Sequence, residues 1–257
     1  MRFNRAVPAG PPVSPEEAYA GLDLARRAPA NRPYVVCNFV SSADGKATLG
    51  GRSAALGGEG DRAVFGLLRT QVDAVLAGTR TLRIEHYGAL VRDPELRELR
   101  VREGRAPQPL AVVVSRSGVV PFEVPLFADP ASKVVLYLPA NATAPPCAAQ
   151  LTVHPSPATG ELADVLHSLR TEHDVRSLLC EGGPTMLGEL IVEDLVDELF
   201  LTLAPALVGG AELGLSTGSE PPAARAMRMV AALEHDGYLF LRYARQAASG
   251  GVEQAEG

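Results

Sequence analysis

The chain has 257 residues, 46% of them hydrophobic and 21% charged, enough for one large α/β domain or two small ones. Its net charge of −6 at pH 7 lacks the basic excess of a general nucleic-acid binder, so no nucleic-acid partner is expected. No stretch approaches the ~18 apolar residues of a membrane span and no apolar run of a secretory signal opens the chain, so a cytoplasmic protein without a membrane partner is expected.

Residues 1–31 are rich in Pro and Ala and read as an N-terminal arm. Within it Ser14-Pro15-Glu16-Glu17 supplies a cap, a proline for the first helical position and a glutamate three residues after the cap. This predicts one short helix running to about Arg27. Residues 34–40, Tyr-Val-Val-Cys-Asn-Phe-Val, read as a strand buried on both faces except at Asn38. A helix is expected over 61–70, with Val64, Leu67 and Leu68 on one face, then a buried strand over 72–77 ending at Gly78-Thr79. A charged helix over 93–102 precedes strands at 110–114 and 133–138, and 150–153 reads as a short fifth strand. Residues 161–173 place Leu162, Val165, Leu166 and Leu169 at helical spacing. The apolar run Leu178-Leu179-Cys180 then gives way to Glu181-Gly-Gly-Pro-Thr185 and a further helix. Strands at 198–204 and 237–244 follow with no clear helix between them, and are expected as an antiparallel pair at one edge. The alternation of strands and helices predicts an α/β domain over residues 32–246 with a mixed, mostly parallel central sheet flanked by helices. The small, acidic residues 247–257 are expected to be a disordered tail.

In such sheets ligands bind beyond the carboxyl ends of the strands. Four strand ends carry small or polar residues: Ser41 to Lys46, Gly78 to Thr81, Ser115 to Ser117, and Glu181 to Thr185. Pro184 suits a first helical turn, and Gly182 and Gly183 let a ligand approach a helix N-terminus that favours an anion. An ordinary strand-to-helix turn has the same residues, but four converging ends point to a dinucleotide-sized ligand. Arg116, directly after a core strand and beside Ser115, suits the 2′-phosphate of a phosphorylated dinucleotide. Asp44 and Glu181 are the two carboxylates at strand ends, each able to orient a substrate or to supply a proton. An Asp-Gly turn and a self-bonded Gly-Gly turn are their plainer readings.

Other constellations fail. The five histidines show no metal-ligand spacing, so no metal is expected. There is no nucleophile elbow and no G-x-G-x-x-G fingerprint. Cys37, Cys147 and Cys180 make no paired framework.

Arg32-Pro-Tyr-Val-Val-Cys-Asn-Phe-Val-Ser-Ser-Ala-Asp-Gly-Lys46, Gln71-Val-Asp-Ala-Val-Leu-Ala-Gly-Thr79, Glu181-Gly-Gly-Pro-Thr185 and Val196-Asp-Glu-Leu-Phe200 with Ala204-Pro-Ala-Leu-Val-Gly-Gly210 together resemble the riboflavin-biosynthesis pyrimidine reductases of the RibD C-terminal type. The resemblance implies a dihydrofolate-reductase-like fold, NADPH as hydride donor and a homodimer. It implies cofactor contacts at Gly78, Thr79, Gly182, Gly183, Pro184 and Thr185, with Asp44 and Glu181 on the substrate side. Ala43 is expected beside the cofactor, and Asp44 and Glu181, as acidic side chains at strand ends, are the expected catalytic residues. The chain departs from the family's pattern on the substrate half. Asn38 stands where a lysine is usual, and Ala55-Leu56-Gly57 where Trp-Ile-Thr is common. Thr81-Leu-Arg-Ile-Glu-His-Tyr-Gly88 replaces an Ala-Asp-Asp-Pro element. With no deaminase domain ahead of it, the chain is more similar to the stand-alone branch, and Asn38, Arg83, Glu85 and His86 are its candidate substrate contacts. The heterocycle is expected to be a ribosylamino-uracil phosphate, with dihydrofolate as the alternative. A non-catalytic NADPH sensor is the reading from another class.

Overall fold

The computed structural model describes residues 1–246; the expected tail lies outside them. In chain order the strands are β1 (Phe3–Val7), β2 (Gly10–Val13), β3 (Tyr34–Ser42), β4 (Ala74–Gly78), β5 (Leu110–Val114), β6 (Lys133–Leu138), β7 (Gln150–Pro155), β8 (Ser177–Cys180), β9 (Glu198–Ala204), β10 (Met227–His235) and β11 (Tyr238–Arg245). The helices are α1 (Pro15–Tyr19), α2 (Glu59–Thr70), α3 (Thr79–Ile84), α4 (Pro94–Arg102), α5 (Pro125–Ala128), α6 (Leu162–Glu172) and α7 (Pro184–Val192).

The strands join one sheet in the order β2-β1-β10-β11-β9-β3-β8-β4-β5-β6-β7. From β9 to β7 every pairing is parallel, and from β2 to β9 every pairing is antiparallel. The central parallel strands β3, β4, β5, β6 and β8 are buried because helices cover both faces. Val64, Leu67 and Leu68 of α2 enter the core on one face, while Leu162, Val165, Leu166 and Leu169 of α6 and Met186, Leu187 and Leu190 of α7 enter the core on the other. The mixed, mostly parallel sheet is the expected one.

Three expectations need correction. The N-terminal arm is part of the sheet: β1 pairs with β10, and Phe3 is fully buried, stacked on Phe240 at 4.6 Å between centroids. Its prolines hid this from the sequence, but an edge hairpin tolerates residues with no N–H to donate. The capping box at Ser14 is present, yet α1 stops at Tyr19, and a separate 3₁₀ turn covers Leu24–Arg27. Finally, β9 and β11 are antiparallel neighbours, but the sheet continues through β10, β1 and β2, so the pair is not an edge.

Candidate active site

The carboxyl ends of β4, β5 and β8 and residues 38–40 of β3 open into one cleft of about 1640 Å³, walled on the other side by α2. Gly78, Thr79, Arg116 and Gly182 through Thr185 line it together, so three of the four strand ends picked from sequence converge as expected.

The glycines there have distinct physical reasons. A Cβ on Gly182 would lie 2.7 Å from the Gly78 amide nitrogen and 2.9 Å from Ala77 Cα. The close approach of two strand exits therefore requires a glycine at 182. Gly183 has φ +72° and caps α7 without a side chain, so the first-turn amides of that helix are left to an outside acceptor. At Gly78 a Cβ would meet only the Gly182 carbonyl, at 3.6 Å, so that position is open toward the cleft. The start of α7 is fixed from behind: Thr217 N donates to Pro184 O at 3.0 Å, and Gly188 leaves room for the Thr217 carbonyl, 2.0 Å from where a Cβ would stand.

The fourth end behaves differently. Ala43 and Asp44 are exposed and lie outside the cleft lining; Ala43 N donates to Ala206 O at 2.8 Å. The Asp44 carboxylate accepts from Ser42 Oγ at 2.6 Å and from the Val208 and Gly209 amides at 3.0 and 2.7 Å. These donors, the Ser42 hydroxyl foremost, lower its pKa to about 2, so it carries no proton to deliver near neutrality. The catalytic assignment of Asp44 is thus corrected: it clamps the 208–210 loop, which does line the cleft. Lys46 does similar work, donating to Gly210 O and Glu212 O.

Glu181 is also reassigned. Its buried carboxylate takes Arg69 Nε at 2.7 Å and Nη2 at 2.6 Å, and the Tyr87 hydroxyl at 2.6 Å. Burial, then the Glu181 charge, hold the Tyr87 hydroxyl far above its ordinary pKa. Three protein donors hold Glu181 in the cleft floor, where its carboxylate stiffens the exit of β8.

Ser115 is buried and donates to Val119 O at 2.9 Å, so its hydroxyl is not offered to a phosphate. Arg116 lines the cleft mouth but is paired with Glu189 and donates to Gly160 O at 3.0 Å. Of the three candidate contacts on the altered loop, Glu85 lines the cleft, accepting from Ser53 N and Oγ. Arg83 turns to the surface beside Glu123 at 3.5 Å, and His86, exposed at φ +48°, lies outside the lining. Asn38 is 8% exposed in the cleft wall, with no partner for Oδ1 among the described residues.

The sequence reading missed several lining residues. Asp61, in the first turn of α2, is half-buried in the cleft, its carboxyl raised above the ordinary range by burial against the opposing effects of the Thr202 hydroxyl and the Arg62 charge. Phe65 forms an aromatic wall, with the Arg69 guanidinium 4.1 Å from its centroid. Arg62, Arg80 and Arg92 are exposed lining cations without a carboxylate in ion-pair range among the described residues. Among those residues no group of three or more His, Cys, Asp or Glu is placed to hold a metal, and no helix is long and apolar enough to cross a membrane.

Known proteins carry the same pattern. The chain is 32% identical over 187 residues, 70% of its length and 83% of the relative's, to a 2,5-diamino-6-ribosylamino-4(3H)-pyrimidinone 5′-phosphate reductase of Archaeoglobus fulgidus. A protein of that name from Methanothermobacter thermautotrophicus is 29% identical over 188 residues, covering 70% of this chain and 81% of the relative. Among solved structures, a pyrimidine reductase-like protein of Corynebacterium diphtheriae superposes with a TM-score of 0.74 at 24% identity, covering 91% of this chain and 98% of that one. The riboflavin biosynthesis reductase of Saccharomyces cerevisiae gives 0.65 at 16% identity, covering 85% and 92%. These neighbours share the dihydrofolate-reductase-like fold. The RibD C-terminal domain matches residues 33–236, and the chain belongs to that family.

Proposed function

We propose that the protein is an NADPH-dependent reductase of a ribosylamino-pyrimidine phosphate. The observation that carries this is the convergence, in one cleft, of the open Gly78 turn and the uncapped α7 N-terminus with a separate wall formed by Asn38, Asp61 and Phe65. The relatives' names supply the substrate class.

The cleft fits the cofactor. Gly183, Thr185 and Met186 would present backbone amides to its pyrophosphate, and Arg80 and Arg116 stand at the mouth for a further phosphate. NADPH supplies a hydride when bound. The chain's own part is to hold two molecules in register and to keep water away. Phe65 offers a flat apolar surface to a heterocycle, and Arg62 and Arg92 offer charge to a ribose phosphate. The Asp44 clamp and the Arg69–Glu181 pair keep the loop and the floor in place. A homodimer acting in the cytoplasm completes the proposal, and sedimentation of the purified protein tests the assembly.

The test is NADPH oxidation with the diaminopyrimidinone phosphate, the corresponding uracil and dihydrofolate in parallel. Turnover of either ribosylamino-pyrimidine supports the proposal. Turnover of dihydrofolate alone moves the activity to the folate reading, and NADPH binding without oxidation by any of the three returns the non-catalytic binding protein.

A further inference from the structure

Several carboxylates line the cleft, and most are engaged. Glu181 is held by Arg69 and Tyr87, Glu189 by Arg116, Glu85 by Ser53, and Glu212 accepts from Thr48 Oγ1 and Gly50 N. Asp61 differs. It is half-buried, has no cation in ion-pair range among the described residues, and stands where α2 crosses β9 at Thr202. Across the same cleft is Asn38, whose buried Oδ1 has no partner. Asn38 is two residues from Val40, the register partner of Thr202, so both project on the α2 side of the sheet. Among the described residues Asn38 Oδ1 thus has no partner, and Asp61, engaged by the Thr202 hydroxyl alone, keeps acceptor capacity on the same wall.

Gly57 ties this to the sequence. A Cβ there would lie 2.5 Å from Asp61 Oδ2, so the carboxylate occupies space that any side chain at residue 57 would claim. The glycine leaves Asp61 room to turn into the cleft.

Resting on the reductase reading above, we propose that Asp61 recognises the 2-amino group and the neighbouring ring N–H of a 2-amino-4-oxopyrimidine and selects it over the uracil counterpart. A carboxylate presents two parallel acceptors, and an N–C–N edge bearing two donors matches them in bidentate fashion. A uracil substitutes a carbonyl oxygen for one donor, which turns a bond into a contact between two acceptors. The carboxyl's raised pKa fits this reading, because burial has removed the water that would otherwise stabilise its charge, and a donor edge restores that stabilisation. The relatives' substrate, by its name, carries both the 2-amino group and the 3-hydrogen.

The experiment measures kcat/KM on the diaminopyrimidinone phosphate and on 5-amino-6-(5-phosphoribosylamino)uracil, with NADPH affinity read by fluorescence. The wild type should prefer the first by about 100-fold or more, since a site built for a donor rejects analogues lacking it strongly. Asp61→Asn should lose about 100-fold or more on the diamino compound with little loss on the uracil, at unchanged NADPH affinity. If Asp61→Asn fails to bind NADPH, Gly57→Ala replaces it, because it displaces the carboxylate without altering its charge; the same selective loss is expected. A substrate ratio unmoved by the interpretable variant overturns the Asp61 assignment while leaving the reductase reading intact. A wild type that turns over neither compound overturns both.

Discussion

Arg69 and Glu181 meet as a bidentate pair, Nε to Oε1 at 2.7 Å and Nη2 to Oε2 at 2.6 Å, with both side chains buried. The pair ties the end of α2 to the exit of β8, and Arg69 Nη1 reaches on to Leu90 O at 2.7 Å. Breaking a buried pair from one side strands the other charge, at about 3–5 kcal/mol. Arg69→Met should therefore lower stability by that order in urea titrations. Adding Glu181→Leu should recover a large part of it. A double variant as unstable as the single would show that the loss is of packing and not of charge.

Asp44 leads to a different expectation. Its carboxyl is lowered from 3.8 to about 2 by the Ser42 hydroxyl and the Val208 and Gly209 amides. A depressed folded pKa contributes stability that is present above the unfolded value and is lost as the pH falls through the folded one, here between 3.8 and about 2. It should leave no inflection in a pH–rate profile from 5 to 8. Asp44→Asn keeps an acceptor for the loop amides and should lower kcat less than tenfold, with KM rising as the 208–210 loop loosens. A fall of 10²–10⁴ in kcat would restore an acid–base role.

The parts legible in the sequence are those set by local pattern. Leu110–Val114 and Glu198–Ala204 are found at the bounds expected, the first as a continuous apolar run of a strand covered on both faces, the second as a run whose burial alternates along the strand. The Gly-Gly-Pro turn was legible because left-handed backbone and a helix start each favour particular residues. What escaped depends on distant contacts. Met227–His235 mixes exposed, half-buried and buried positions; it is a strand through its hairpin with Tyr238–Arg245, and only Ala232–Glu234 also pair with Phe3–Val7, more than two hundred residues earlier. Glu181 read as a substrate carboxylate because its arginine lies 112 residues away. Asp61 read as an ordinary acid in a first helical turn. Its place in the cleft follows from where α2 crosses the sheet, which no local pattern records.

Gly188 offers a test of how α7 is held. A Cβ there would stand 2.0 Å from the Thr217 carbonyl oxygen, a contact with backbone that cannot swing aside. Gly188→Ala should push the 217 segment off α7, break the Thr217 N to Pro184 O bond, and weaken NADPH binding about tenfold or more. Ala is otherwise the better helix residue by about 1 kcal/mol, so propensity alone predicts the opposite sign for stability. Unchanged NADPH affinity with raised stability would show that the 217 segment does not position the helix.

Preference for NADPH over NADH should reside in Arg80 more than in Arg116. Both line the cleft mouth. Arg116 already donates to Glu189 and to the Gly160 carbonyl, so drawing it to a phosphate means giving up those partners. Arg80, exposed in the first turn of α3 directly after Gly78-Thr79, has no carboxylate within ion-pair range among the described residues. Ser115, the expected companion of Arg116, spends its hydroxyl on Val119 O. Loss of one charge-assisted hydrogen bond corresponds to about 1.5–3 kcal/mol, roughly ten- to a hundredfold in affinity. Arg80→Ala should weaken NADPH by that factor and leave NADH within about twofold, whereas Arg116→Ala should weaken NADPH less. Fluorescence titration of both nucleotides against both variants settles the order. A larger selective loss in Arg116→Ala would mean that the Glu189 pair opens when the cofactor binds, and would return the 2′-phosphate site to the β5 end.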